Sequence, residues 1–313
     1  MKYFVAFFIF IIVLFFYLHI NHHLTKSNDL EIYTIEKPSK DKLEEICNLR
    51  QPMLFDYNNE EILKNCTLSN FNNKYSAFDV KIRDTLNVDD KKEIYLPLVL
   101  KESLNLFQND TKGRYITENN YDFLEETGSL KLYTYNDSFL RPPLVSKCDY
   151  DYMSGSQSSS TPLRYNLSYR NYYYVVEGEI KVKLIPPSGS KYLLENKDYD
   201  NFEFRSPINP WNVDQKYKEY EKVKSLDITV KPGTILYIPP YWWYSIYYNK
   251  MSSVSSFKYR TFMNTITILP EIIMNLLQTQ NIKRETLEKV ETNKKEKNLE
   301  EKLKEKDGNT KLK

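Results

Sequence analysis

The sequence predicts a mainly β protein, a jelly-roll sandwich or barrel with flanking helices, carried behind an N-terminal transmembrane helix. Three observations lead there. Apolar and polar residues alternate in short runs, as where Ile180, Val182 and Leu184 interleave with Glu179, Lys181 and Lys183, the period-2 pattern of strands with one buried face. Helical periodicity is confined to a few short stretches, which favours an all-β layering. Tyr3 to Ile20 are 18 consecutive positions without Asp, Glu, Lys or Arg, about 27 Å of helix at ~1.5 Å per residue, close to the hydrocarbon thickness of a bilayer.

Taken in chain order, residues 1–23 read as an uncleaved anchor. A signal peptide would have a shorter apolar core, ~7–15 residues, and a small-x-small cleavage site, and Ile20-Asn21-His22-His23 offers none. Lys2 and the N-terminal amine nearly balance Lys26 under the positive-inside rule; the adopted orientation puts the N-terminus inside and the domain lumenal or extracellular. Residues 24–40 are polar, contain Pro38 and read as a linker. The domain proper is expected over 41–282. A short helix over 42–46 leads to Gln51-Pro52-Met53-Leu54-Phe55, where the proline before an apolar run predicts an edge strand. Leu100, Leu104 and Phe107 recur at helical spacing after Pro97, predicting a helix over 97–107.

Tyr172–Val176 and Glu179–Ile185 flank Glu177-Gly178 and read as a β-hairpin. A loop rich in Pro, Asn and Asp fills 186–223, and Ile228 and Val230 lead through a Pro232-Gly233 turn into a strand over 234–238. After Pro270 the pattern turns helical, with Leu269, Ile272, Ile273, Leu276 and Leu277 forming an apolar stripe. That helix either caps the barrel or uses 269–280 to meet a second copy or another protein. Residues 283–313, mostly Lys, Glu, Asn, Thr and Leu, cannot bury a core and read as a solvated charged tail.

Composition excludes more than it assigns. A net charge of +2 with 27% charged residues gives no bulk-charge case for nucleic-acid binding. Twenty-seven tyrosines beside only two alanines, Ala6 and Ala77, read as codon pressure from an AT-rich genome. Cys47, Cys66 and Cys148 allow one disulfide with one thiol left over, or three free thiols. Glycosylation sequons stand at Asn65, Asn109, Asn136 and Asn166, but about four are expected by chance from the Asn and Ser/Thr content, so they do not decide the compartment.

Three segments carry a family likeness. Gly155 to Asn166 is a small-residue run ending Thr161-Pro162-Leu163-Arg164-Tyr165-Asn166; Val176-Glu177-Gly178-Glu179-Ile180 runs on to Ile185-Pro186-Pro187; and Pro232 to Tyr244 reads Pro-Gly-Thr-Ile-Leu-Tyr-Ile-Pro-Pro-Tyr-Trp-Trp-Tyr. In this order, with Ser206-Pro207-Ile208-Asn209-Pro210-Trp211 between the last two, they resemble the cupin-like, JmjC-type oxygenases, most closely the asparaginyl hydroxylases of the factor-inhibiting-HIF kind. The resemblance covers roughly 41–267 and implies a double-stranded β-helix.

It also implies a site. That family holds Fe(II) on two histidines and an aspartate, leaving open positions for 2-oxoglutarate and oxygen. The matching positions here are Arg164, Asn166 and Tyr244, and the only histidines in the chain are His19, His22 and His23. Arginine has no lone pair to give and keeps its proton. The lysine that the family pairs with 2-oxoglutarate falls on Ile180, while Lys181 and Lys183 both lie on the opposite face by strand alternation. No cofactor is therefore expected, where the family would use Fe(II) and 2-oxoglutarate. Thr161, Asn171, Trp242, Trp243 and Asn264 are candidates to line a retained pocket, and the same residues could equally pack the barrel. Arg164 could bind a carboxylate ligand, or be neutralised by an internal acid. The sequence thus points to a membrane-anchored pseudoenzyme with a binding or scaffolding role. Two alternatives stay open: a 2-oxoglutarate hydroxylase with an atypical site, and a structural surface jelly roll.

Overall fold

The computed structural model describes residues 1–86 and 95–281. Its strands, numbered in chain order, form two sheets. The larger runs β1 (Tyr33–Ile35), β2 (Met53–Asp56), β13 (Thr234–Tyr237), β8 (Arg170–Glu177), β15 (Ser252–Thr261), β6 (Val145–Gly155), β5 (Tyr115–Thr117), β3 (Asp79–Asp84) and β4 (Leu96–Val99). The smaller runs β10 (Asn196–Asp198), β11 (Glu203–Arg205), β7 (Arg164–Tyr165), β14 (Trp243–Tyr248), β9 (Ile180–Ile185) and β12 (Leu226–Val230). Apart from the parallel β1–β2 pair, the ladders are antiparallel. The helices are α1 (Lys2–Leu24), α2 (Lys40–Asn48), α3 (Glu60–Asn65), α4 (Leu68–Tyr75), α5 (Leu100–Asn109), α6 (Tyr121–Glu126), α7 (Leu130–Asn136), α8 (Phe262–Thr267) and α9 (Leu269–Asn281). This is the expected mainly β jelly roll with flanking helices.

Strand alternation sorts the core. Tyr172, Tyr173 and Tyr174 are consecutive and fully buried, but Tyr172 and Tyr174 pack into the outer core among α2, α3 and α7, while Tyr173 points between the sheets. There it meets Ile180, Val182 and Leu184 of β9 and Tyr244, Ile246 and Tyr248 of β14. Each such side chain stabilises the fold by roughly 1.5–3 kcal/mol through burial. The neighbouring Trp243 faces the other way, towards Leu163, Ile185 and Leu193.

Several sequence expectations change. β8 and β9 are not a hairpin: β8 pairs with β13 and β15, β9 with β12 and β14, so the Gly178 turn carries the chain from one sheet to the other. Gly178 sits at φ +88°, and a Cβ there would come within 2.2 Å of Ser252 Oγ. Glycine is required by both conformation and space. β2 is not an edge strand, because β1, formed from the expected linker, covers it. Pro97 lies in β4, and the helix begins at Leu100. The 186–223 segment contains β10 and β11 as well as loop. Cys47, Cys66 and Cys148 are free thiols. The tail assigned to 283–313 lies outside the described residues.

α1 is long and apolar enough to cross a bilayer. From Tyr3 to Leu18 its side chains are exposed, whereas His19 and Ile20 are half-buried and His23 is buried where the helix end meets α8. On α9, Ile272 packs against the core while Ile273 and Met274 stay exposed.

Candidate functional site

The three positions that the resemblance assigns to a metal converge in space. β7 lies against β14 with Arg164 directly opposite Tyr244, and Asn166 follows two residues on. All three meet at one phenol oxygen. Arg164 Nε donates to Tyr244 Oη at 3.2 Å, Asn166 Nδ2 donates at 3.1 Å, and Tyr173 Oη donates at 2.7 Å. Asn166 Nδ2 also reaches Tyr173 Oη at 3.0 Å. Its amide nitrogen is thereby committed inside the barrel, unlike the exposed Asn109, while Asn65 and Asn136 are half-buried.

The remaining guanidinium nitrogens of Arg164 are taken by carboxylates. Nη1 donates to Glu118 Oε1 and Glu203 Oε1, both at 2.9 Å, and Nη2 to Glu118 Oε2. Arg83 on β3 joins the same acids, at 3.2 Å to Glu118 and 2.8 Å to Glu203. Tyr95 Oη donates to Glu118 at 3.0 Å. Two arginines and two glutamates, each under a tenth exposed, therefore neutralise one another across the sheets: Arg83 on β3 and Glu118 just after β5 on the larger, Arg164 on β7 and Glu203 on β11 on the smaller. Burial alone would push the Glu118 carboxyl up, but Arg164 and Arg83 reverse this and hold it well below the usual carboxylate range. Glu203 is lowered against its burial by the same two cations. Burial, with Tyr244 beside it, raises the Tyr173 phenol well above its ordinary value, so it stays protonated.

These residues do not fit Fe(II). A facial triad needs lone pairs aimed at an open centre; here that centre holds a guanidinium, an amide nitrogen and a phenol already engaged with each other. Among the described residues no group of three or more His, Cys, Asp or Glu is placed to hold a metal. Nor do they fit 2-oxoglutarate as the family holds it, since Ile180 is fully buried in the apolar interior. Arg164 has internal acids as partners, which leaves it no free edge for a carboxylate ligand.

All five candidate pocket residues are buried; four of them hydrogen-bond within the fold, while Trp242 Nε1, Asn171 Oδ1 and Asn264 Oδ1 have no partner among the described residues. Thr161 Oγ1 accepts from Ile246 N at 2.9 Å and its carbonyl accepts from Ser245 Oγ at 2.6 Å. Asn171 Nδ2 donates to the carbonyls of Ser168 and Ile238. Trp242 is fully buried, and Trp243 Nε1 donates to Ser190 Oγ at 2.7 Å. Asn264 Nδ2 donates to the Leu167 carbonyl, and its backbone is capped by Thr261. None of them lines the cavity of about 260 Å³ beside the filled centre, whose walls include Asn119, Asp151, Asn166, Phe202, Lys258 and Arg260.

Within that cavity wall Asp151 accepts the backbone N–H groups of Asn119 and Asn120 at 2.9 and 2.7 Å. Burial nevertheless pushes its carboxyl up to about 6, with Lys258 opposing. Arg260 lies over the Phe202 ring, 5.1 Å from its centroid. Arg83, Glu118, Glu203, Tyr173 and this wall escaped the sequence reading. Phe202-Glu203-Phe204 held the one local hint, a lone acid between two aromatics.

The profile of the Cupin-like domain family matches residues 59–265 of the chain. HSPB1-associated protein 1 of Rattus norvegicus is 28% identical over 94 residues, which is 29% of this chain and 20% of that protein. The Homo sapiens protein is also 28% identical over 94 residues, 19% of its own length, and the Danio rerio homologue is 24% identical over the same length. The chain thus spans about a fifth of the curated relatives it matches.

Proposed function

The chain belongs to the cupin-like domain family, and from that premise we propose that it is a membrane-anchored binding module whose barrel does not carry the iron chemistry associated with the fold. One observation supports this above the others: Arg164 stands at a metal position with its nitrogens shared among Glu118, Glu203 and Tyr244. Restoring a metal there would require removing a buried cation and leaving two buried carboxylates, Glu118 and Glu203, with Arg83 alone between them, which is strongly unfavourable. Binding then falls to the surface beside the centre. The cavity walled by Asn119, Asp151, Phe202, Lys258 and Arg260 offers paired charges, amides and an aromatic face, a mixture suited to a polar protein segment. The relatives are named for association with HSPB1, which by likeness favours a protein as ligand. α1 would hold this surface beside a bilayer, with the domain on the non-cytoplasmic side.

The test is incubation of the purified full chain with Fe(II), 2-oxoglutarate and oxygen. No succinate above the protein-free control is expected. Succinate formed in step with oxygen consumption would overturn the reading.

A further inference from the structure

Arg50 occupies a position that is unfavourable twice over. It is 2% exposed, and Nε, Nη1 and Nη2 are all buried without a hydrogen-bond partner. It also sits at φ +59°, just past the end of α2, the left-handed position where helices usually place glycine. A strained backbone under an uncompensated buried cation is a pattern associated with function. Among the described residues its guanidinium faces the Tyr169 ring, 4.7 Å from the guanidinium carbon, and cation–π attraction recovers only a fraction of the cost of burying a charge.

The surroundings hold more cations than anions: Arg170 and Lys40 stand beside one carboxylate, Glu44, whose Oε1 is itself buried without a hydrogen-bond partner, as is Gln51 Oε1 next to Arg50. Arg170 lies over the same Tyr169 ring at 3.9 Å, with its Nε also unpartnered. Glu44 is shared between Arg170, at 3.0 Å, and Lys40, at 3.7 Å. The His23 ring packs edge-on against Tyr169 at 4.9 Å, and its Nδ1 is buried without a partner. Two guanidiniums with unmet donors and a buried, unpartnered imidazole nitrogen thus gather on one aromatic ring. The location is equally specific. His23 is the penultimate residue of α1, the helix long and apolar enough to cross a bilayer, so where α1 spans a membrane, as proposed above, this cluster meets the end of the span, next to the phosphate-bearing headgroups.

We propose that Arg50, with His23 and Arg170 around Tyr169, forms a collar site for a phosphate group where the membrane helix enters the domain. A guanidinium fork suits a phosphate's paired oxygens, and access needs the His23 ring to swing off Tyr169. This site rests on the membrane anchoring proposed above but not on the barrel cavity or on the absence of iron chemistry, and the inorganic-phosphate arm of the test below needs no membrane.

The full chain, purified in phosphate-free non-ionic detergent, would be melted with inorganic phosphate, with phosphatidate in mixed micelles, and with diacylglycerol, which has the same tails and no phosphate. The wild type should gain about 5 °C at saturation with a phosphate-bearing ligand and nothing with diacylglycerol. Arg50→Met should melt no lower than wild type in phosphate-free detergent and lose the response, while Arg50→Lys should keep part of it. A gain with phosphatidate alone assigns the site to a lipid headgroup; a gain with inorganic phosphate as well assigns it to phosphate generally. No gain with either, an equal gain in Arg50→Met, or a lower melting point for Arg50→Met without ligand would overturn the proposal.

Discussion

Arg164 and Arg50 are both almost entirely buried, at 8% and 2% exposure, yet their surroundings are opposite. Arg164 is held by two glutamates and a phenol drawn from elements far apart in sequence. The Arg50 guanidinium has no hydrogen-bonding partner among the described residues. A guanidinium cannot escape burial by losing its proton, so it must find an anion inside the molecule or outside it. The first arginine explains why the barrel centre is closed to a metal. The second explains why something external is expected at the collar. The same residue type therefore marks a finished structural element in one region and an unfinished one in the other.

The largest test of this contrast is Glu118→Gln. It leaves Arg164 and Arg83 with one carboxylate between them, and the expected loss is about 3–5 kcal/mol in chemical denaturation. A change under about 1 kcal/mol would show that the four charges are not packed together. Arg50→Met, by contrast, removes a charge without stranding a partner and should cost nothing.

A subtler test is pH. Glu118 and Glu203 are depressed in the folded state by Arg164 and Arg83 acting against burial, so their stabilisation is present above the ordinary glutamate value and is lost as pH falls below about 4.3. Asp151 acts with the opposite sign. Burial raises it to about 6, so its contribution is full below the ordinary aspartate value of about 3.9 and is lost as pH rises through about 6. Stability should rise modestly from pH 7 towards about 4.5 and fall steeply below about 4.3. Asp151→Asn should flatten only the upper slope and Glu118→Gln should weaken only the lower one; a profile unchanged by either would show that these carboxyls do not titrate as placed.

The parts of this account legible in sequence are those with local signatures. Pro232 to Tyr244 announced its strands, and alternation placed Ile180 on the buried face. Arg164, Asn166 and Tyr244 could be set together through the family likeness before any coordinates. The Gly178 turn misled because a tight turn between two strands looks the same whether they pair with each other or separate into two sheets. The ion-pair network was out of reach for a different reason. Arg164 meets Glu118 across 46 residues and Arg83 meets Glu203 across 120, and no periodicity or motif records such a pairing. Arg50 was hidden too, because its conformation and isolation belong to the turn that follows α2 and to the Tyr169 ring it meets there.

The most direct measurement is a double-mutant cycle across the barrel centre, comparing unfolding free energies of Arg164→Met, Glu118→Gln and the pair. A filled, self-neutralising centre predicts that the double variant loses far less than the two singles together, with a coupling of about 2–3 kcal/mol. Additive losses, with coupling below about 0.5 kcal/mol, would mean that Arg164 does not depend on Glu118 and would contradict the closed centre on which the proposed function rests.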